Sequence, residues 1–168
     1  MIITDINPQK RKGRYNLYVD GGFYSGIDAE TIVKAGLKTG IEVSKERLEE
    51  LVIESETRSA FEKLIGIISR QMYSKRDIYQ KLLKYGYSDI CIQRAIEKAG
   101  EYKYIDDKAY AKALVESKPL KSKLEIKNAL FIKGIKSVDA EEYLEKISQE
   151  EEAERAIVLA KKYMKNKL

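Results

Sequence analysis

Hydrophobic positions along this chain change rhythm after its first third. At the start, Ile2-Ile3-Thr4-Asp5-Ile6 and Tyr15-Asn16-Leu17-Tyr18-Val19 are β-branched and aromatic stretches with partial two-residue alternation, the pattern of strands with one buried face. Between them, Asn7 to Arg14 reads as a basic hairpin tip. Asp20-Gly21-Gly22 is a second tight-turn signal that sends Phe23 and Tyr24 back as a short third strand. The period then becomes helical. Asp28 is placed to cap a short helix that runs through Ala35 and stops at Gly36, and Ser44 to cap a helix carrying Leu48, Leu51 and Val52. No Pro or Gly interrupts residues 41 to 65, so one helix spans them, or two that part near Ser55-Glu56-Thr57.

From Arg58 onward the pattern is triads of short helices. Ala60, Phe61, Leu64, Ile65 and Ile68 form one apolar stripe, a capped helix runs from Lys75 to Tyr85, and Ser88 opens a third helix with Ile92, Ala95, Ile96 and Ala99 inward. The second triad opens at Asp106 with Ala109, Tyr110, Ala113 and Leu114. It continues from Lys123 to Lys133 and closes on Ala140, Tyr143, Leu144 and Ile147. Residues 74 to 98 and 122 to 146 align without a gap at an offset of 48. Ser74-Lys75-Arg76-Asp77 and Ser122-Lys123-Leu124-Glu125 are both Ser-x-x-acid capping boxes, and Gly86-Tyr87 and Gly134-Ile135 both supply a left-handed residue followed by an apolar one. Between those signals, Ile78, Leu82 and Leu83 match Ile126, Leu130 and Phe131 as one expected buried face. Small residues recur on the opening helices at Ala60, at Ala109 and Ala113, and at Ala156 and Ala160. A third copy begins at Glu150 and stops after one amphipathic helix, so Ile157, Leu159 and Ala160 are expected to be partly covered, with either a longer natural protein or this helix docked on the second repeat.

The expected fold is therefore mostly α: tandem three-helix repeats preceded by a small N-terminal β-hairpin or sheet module, α+β overall. Its divisions are residues 1–55 for the front module, 56–102 and 103–148 for two repeats, and 149–168 for the first helix of an incomplete third.

Composition narrows the function. The chain has 168 residues, 43% apolar and 35% charged, which describes a foldable chain. It has no run near the ~18 apolar residues of a membrane span and no basic-then-apolar leader, so a cytoplasmic location is expected. Histidine is absent and Cys91 is the only cysteine, expected buried and inert. No nucleophile and base are visible, and no enzyme, cofactor or metal is expected. Residues 1 to 56 are net −2 and residues 57 to 168 net +7, which directs attention to a polyanionic partner for the helical part.

Tyr104-Ile105-Asp106-Asp107-Lys108-Ala109-Tyr110-Ala111 resembles the Leu/Ile-Asp-Asp-x-x-Phe/Tyr-Ala signature of the RecX family, regulators of the RecA recombinase. Ser74-x-x-Asp77, Lys81-Leu82, Gly86-Tyr87 and Leu130-Phe131-Ile132-Lys133-Gly134-Ile135 are similar to other family positions in the same order. The front module resembles the extra module of longer members. The resemblance implies a non-enzymatic array of three-helix repeats, and since an array working along a filament has no need to dimerise, a monomer is expected. It would bind the RecA nucleoprotein filament along its groove, with direct contact to single-stranded DNA open, and inhibit the recombinase. Where many members are arginine-rich, this chain has Lys118-Pro119-Leu120-Lys121-Ser122-Lys123, which keeps charge but not the bidentate fork of arginine.

Candidate contacts are Lys75, Arg76, Lys81 and Lys84 on the first capped helix, with Lys121, Lys123 and Lys127 as counterparts in the second repeat. Lys10, Arg11, Lys12 and Arg14 on the hairpin tip complete the set. A solvated lysine-rich surface would carry the same charges. Most of the 12 tyrosines read as packing residues, with Tyr73 and Tyr85 bordering the first basic patch. Asp106 and Asp107 read as a helix cap and dipole complement rather than metal ligands. A competing reading is a direct DNA-binding protein, since a three-helix unit with a capped middle helix resembles helix-turn-helix modules.

Overall fold

The computed structural model describes residues 1–118, 121–136, 141, 143–145 and 149–165. Three strands, β1 (Ile3–Pro8), β2 (Arg14–Val19) and β3 (Gly22–Asp28), form an antiparallel sheet in that order. Among the described residues seven helices follow: α1 (Ala29–Ala35), α2 (Lys45–Ile68), α3 (Lys75–Lys84), α4 (Asp89–Glu101), α5 (Asp107–Glu116), α6 (Lys123–Ile132) and α7 (Gln149–Lys165). Two compact units divide the chain, residues 1–66 with 82–98 and residues 67–81 with 99–168.

In the first unit, Asp20 and Gly21 both have positive φ (48° and 83°), the two-residue turn whose twist suits a tight hairpin. β3 is longer than the sequence suggested. It runs to Asp28, which ends the strand and also caps α1 by accepting from Thr31 N at 2.9 Å. Ile3, Leu17, Val19 and Ile27 from the sheet, with Leu37, close over Leu48 and Leu51 of α2. Farther along, Ala60 and Leu64 are buried, and the Cys91 thiol lies inside, 3.7 Å from Ile53 O. α2 is thus one unbroken helix. Of the one helix or two that the sequence allows, one forms, and Ser55, where two would part, is buried, its Oγ accepting from the Asp28 amide (2.9 Å) and from Arg14 Nη1 (3.1 Å). A hydroxyl turned toward outside donors leaves the helical backbone ladder alone, so no break results.

In the second unit, Ala111, Ile126, Leu130, Ile135 and Leu144 form the core. Ser122 and Glu125 make the full reciprocal capping box at the start of α6. Ser74 Oγ accepts from Asp77 N at 3.2 Å, but the Asp77 carboxylate is gripped by Lys133 Nζ, at 3.1 and 3.0 Å to its two oxygens. Asp106 caps its own helix through Lys108 N and Ala109 N, whereas Asp107 reaches across to the Lys75 amide (3.0 Å). One acidic pair therefore caps the starts of both α5 and α3.

Four helices end in the same Schellman geometry. At α1, α3 and α6 the left-handed position is Gly36 (φ 64°), Gly86 (φ 85°) or Gly134 (φ 73°). Each is followed by a residue, Leu37, Tyr87 or Ile135, whose amide reaches back to the last turn. α4 is different. Lys103 N bonds Gly100 O and Tyr104 N bonds Ala99 O, so Lys103 stands where the others have glycine, with φ 56°. The left-handed conformation costs an L residue ~1–2 kcal/mol.

Several expected inward residues face out. Phe131 is 76% exposed and its counterpart Leu83 47% exposed, because burial on each capped helix follows a single i, i+4 column, Ile78 with Leu82 and Ile126 with Leu130. On α5 the inward face is rotated by one residue: Ala111 is buried, with Tyr110, Leu114 and Val115 against it, while Ala109 is exposed. On α7, Ala156, Ile157, Leu159 and Ala160 are exposed, and Arg155 Nη1 donates to Lys121 O at 3.2 Å. Ala140 and Ile147, also expected inward, lie outside the described residues.

Candidate partner-binding surface

On α3, Arg76 and Lys84 lie on the side opposite Ile78 and Leu82, and Lys75 is exposed at the helix start. Lys81 stands at the border of the buried face, half-buried, its ammonium 4.7 Å from the centre of the Tyr73 ring. Arg76 has a structural task as well. Its stem covers Gly134, where an added Cβ would stand 2.9 Å from Arg76 Cδ and 3.0 Å from Arg76 Cβ. Such amphipathic use leaves only the guanidinium head for a partner.

On α6, Lys127 is exposed and Lys123 half-buried. Lys121 is bound to Glu125 at 2.7 Å. That ammonium, followed by the Ser122 amide, holds the Glu125 carboxyl down to about 2, so the pair keeps the α6 cap charged. Lys133, in the family-like Lys-Gly-Ile stretch, is committed within the fold. Its hydrogen bonds to Asp77 raise its pKa, and beside it the burial of Tyr110 raises the phenol, opposed by the Lys133 charge.

At the hairpin tip, Lys10 and Lys12 are exposed, and Arg11 Nη2 makes a loose pair with Glu62 at 3.8 Å, both well exposed. Arg14 turns inward onto Ser55 and Gly26 O. Arg11, Lys12 and Arg14, together with Asp28, Glu30 and Arg58, line a cleft of about 260 Å³. Arg58 is engaged by Asp28 and by Glu30 there. Burial pushes the Asp28 carboxyl up, but the Thr31 amide, the Ser55 and Thr31 hydroxyls and Arg58 outweigh it and leave it below the usual carboxylate range.

Sequence reasoning missed the apolar part of the surface. Leu124 and Phe131 stand out from α6 on the side of Lys127, Ile132 stands out at the end of that helix, and Leu83 stands out beside Lys84 on α3. The 48-residue alignment held the signal, because Leu83 and Phe131 are equivalent positions; treating every aligned apolar residue as core concealed it. Exposed aromatic and aliphatic anchors next to cations are the composition of a protein-contact surface. Among the described residues no group of three or more His, Cys, Asp or Glu could hold a metal, and no helix is long and apolar enough to cross a membrane.

Fold and side chains together define a helical-repeat protein with a small N-terminal β module and exposed basic and apolar residues on each capped helix. The pattern of the regulatory protein RecX N-terminal domain matches residues 1–44, and that of the first three-helix domain of RecX matches residues 60–98. The regulatory protein RecX of Caldanaerobacter subterraneus subsp. tengcongensis is 33% identical over 167 residues, spanning 96% of this chain and 85% of the relative. That of Clostridium botulinum (strain Alaska E43) is 34% identical over 166 residues, 98% and 78%. A crystal structure of regulatory protein RecX superposes with a TM-score of 0.69 at 29% identity, covering 96% of this chain and 81% of the other. The chain belongs to the RecX family of regulatory proteins.

Proposed function

We propose that this chain regulates a RecA-type recombinase by lying along the groove of its filament on single-stranded DNA and inhibiting it. The recurrence of an exposed apolar residue at equivalent positions of two capped helices, Leu83 and Phe131, carries the reading. A polymer that repeats its subunits offers the same pocket again and again, and a repeat protein answers with the same anchor on successive repeats, each modest alone and strong together. Lys84 and Lys127 supply charge beside those anchors. The alternative of direct helix-turn-helix binding to duplex DNA fits this surface less well, since such interfaces are polar and strongly positive rather than anchored by an exposed Phe and Leu.

The test is recombinase-driven ATP hydrolysis on single-stranded DNA with increasing amounts of this chain. Inhibition is expected. Phe131→Ser should weaken it at least fivefold while changing stability by less than ~0.5 kcal/mol, because the ring is already in solvent. No inhibition by the unaltered chain at large excess refutes the proposal.

A further inference from the structure

The end of α4 breaks the rule of the other Schellman ends in two ways at one place. Where α1, α3 and α6 have glycine in the left-handed position, α4 has Lys103. Where Leu37 and Ile135 turn into the core after that position, Tyr104 is 55% exposed. Ile105 is the buried residue instead. The C-cap residue, Tyr102, is 56% exposed, and its ring lies against that of Tyr104 with centroids 5.6 Å apart and planes inclined by 34°. Two aromatic faces and a lysine are thus held in solvent at a position where glycine and an inward apolar residue would fold more easily.

We propose that Tyr102, Lys103 and Tyr104 form a stacking platform for single-stranded DNA. The inference deepens the preceding proposal and rests on it only for the identity of the strand. Unstacked bases bind aromatic faces without regard to sequence, and nearby cations neutralise the phosphates between them. The charges fit. Lys103 is the exposed residue between the two tyrosines in sequence, Lys108 is exposed in the first turn of α5, and the Asp107 bond to the Lys75 amide brings the exposed Lys75 into the same neighbourhood. Of the nearby acids, Asp106 and Asp107 are turned onto helix amides and Glu101 is exposed. A duplex, whose bases are stacked on one another, offers no such faces.

Anisotropy of a fluorescein-labelled oligothymidylate, titrated with the full chain over a salt series and without recombinase, tests this directly. Tyr102→Ala and Tyr104→Ala should each weaken binding about tenfold. Tyr102→Leu and Tyr104→Leu, which keep apolar bulk against loss of folding, should weaken it as well. Lys103→Gly separates the platform from a structural role: it should raise the melting temperature, weaken binding severalfold, and flatten the dependence of log Kd on log salt by about 0.7, the share of one phosphate contact. Unchanged affinity in the tyrosine variants, or an abasic oligomer binding as tightly as oligothymidylate, overturns the platform. Either result leaves the filament reading standing if the chain still inhibits ATP hydrolysis. Absent inhibition with tyrosine-dependent oligomer binding sinks the filament reading alone.

Discussion

Replacing Gly134 by alanine, with Gly86→Ala as its partner measurement, separates two costs that coincide at a helix end. Both glycines sit in the left-handed region at the same point of the repeat, φ 73° and 85°. That conformation costs an L side chain ~1–2 kcal/mol. Restricting the unfolded chain returns ~0.4–1 kcal/mol, so Gly86→Ala, whose new Cβ meets nothing within 4 Å, should lose only about 0.5–1 kcal/mol. At Gly134 the Cβ overlaps Arg76 Cδ at 2.9 Å and Arg76 Cβ at 3.0 Å. The first can swing aside; the second is fixed to the α3 backbone, so the helix itself must move. Overpacking of that kind adds ~1–2 kcal/mol, for a total near ~2–3 kcal/mol. Urea unfolding followed by far-UV circular dichroism, with a slope of ~2 kcal/mol/M, should show a midpoint about 1 M lower for Gly134→Ala and about 0.3–0.5 M lower for Gly86→Ala. Adding Arg76→Ala to Gly134→Ala should recover only the part due to Cγ and Cδ. Equal midpoints for the two glycine variants would refute the claim that Arg76 is packed on Gly134.

Two further predictions follow from the caps. Because the folded Asp28 carboxyl lies below its unfolded value, its contribution is complete above the ordinary carboxylate pKa of ~4 and disappears as pH falls through the folded value. Asp28→Asn should therefore lower stability at neutral pH and flatten the acid limb of the stability curve; parallel acid limbs in the two proteins would refute this. Asp107→Ala should speed hydrogen exchange at the Lys75 amide, lowering local stability by about 1 kcal/mol, while Asp106→Ala should expose the Lys108 and Ala109 amides; exchange at Lys75 unaffected by Asp107→Ala refutes the cross-helix cap.

Local punctuation was the legible part of the fold. The Asp-Gly turn, the Asp28 and Ser122 caps and the glycine stops of α1, α3 and α6 depend on residues a few positions apart, and each formed as its sequence indicates. The 48-residue period likewise located both capped helices. What escaped depends on partners far along the chain. Asp77 leaves its capping box for Lys133, Asp107 caps a helix 32 residues away, and the choice between one helix and two in α2 turned on Ser55, which takes its donors from the sheet. The outward turn of Phe131 was missed because periodicity reports a spacing but not how wide a helix face the core can cover. Among the candidate contacts, charge alone could not separate Arg14, committed to Ser55, from Lys10 and Lys12 two or four residues away.

The unbroken course of α2 fixes a length as well as a shape. At 24 residues it is a rod of about 36 Å, with Leu48 and Leu51 held in the sheet core at one end and Ala60 and Leu64 buried toward the other. Adding or removing one residue between Leu51 and Ala60 would turn one pair by about 100° relative to the other, so that one of the two pairs would leave its buried position. A change of seven or eleven residues, each within about 20° of whole turns, would return both faces to register. The middle of α2 should thus behave as a ruler: tolerant of substitution at its exposed positions, intolerant of a one-residue insertion at any of them.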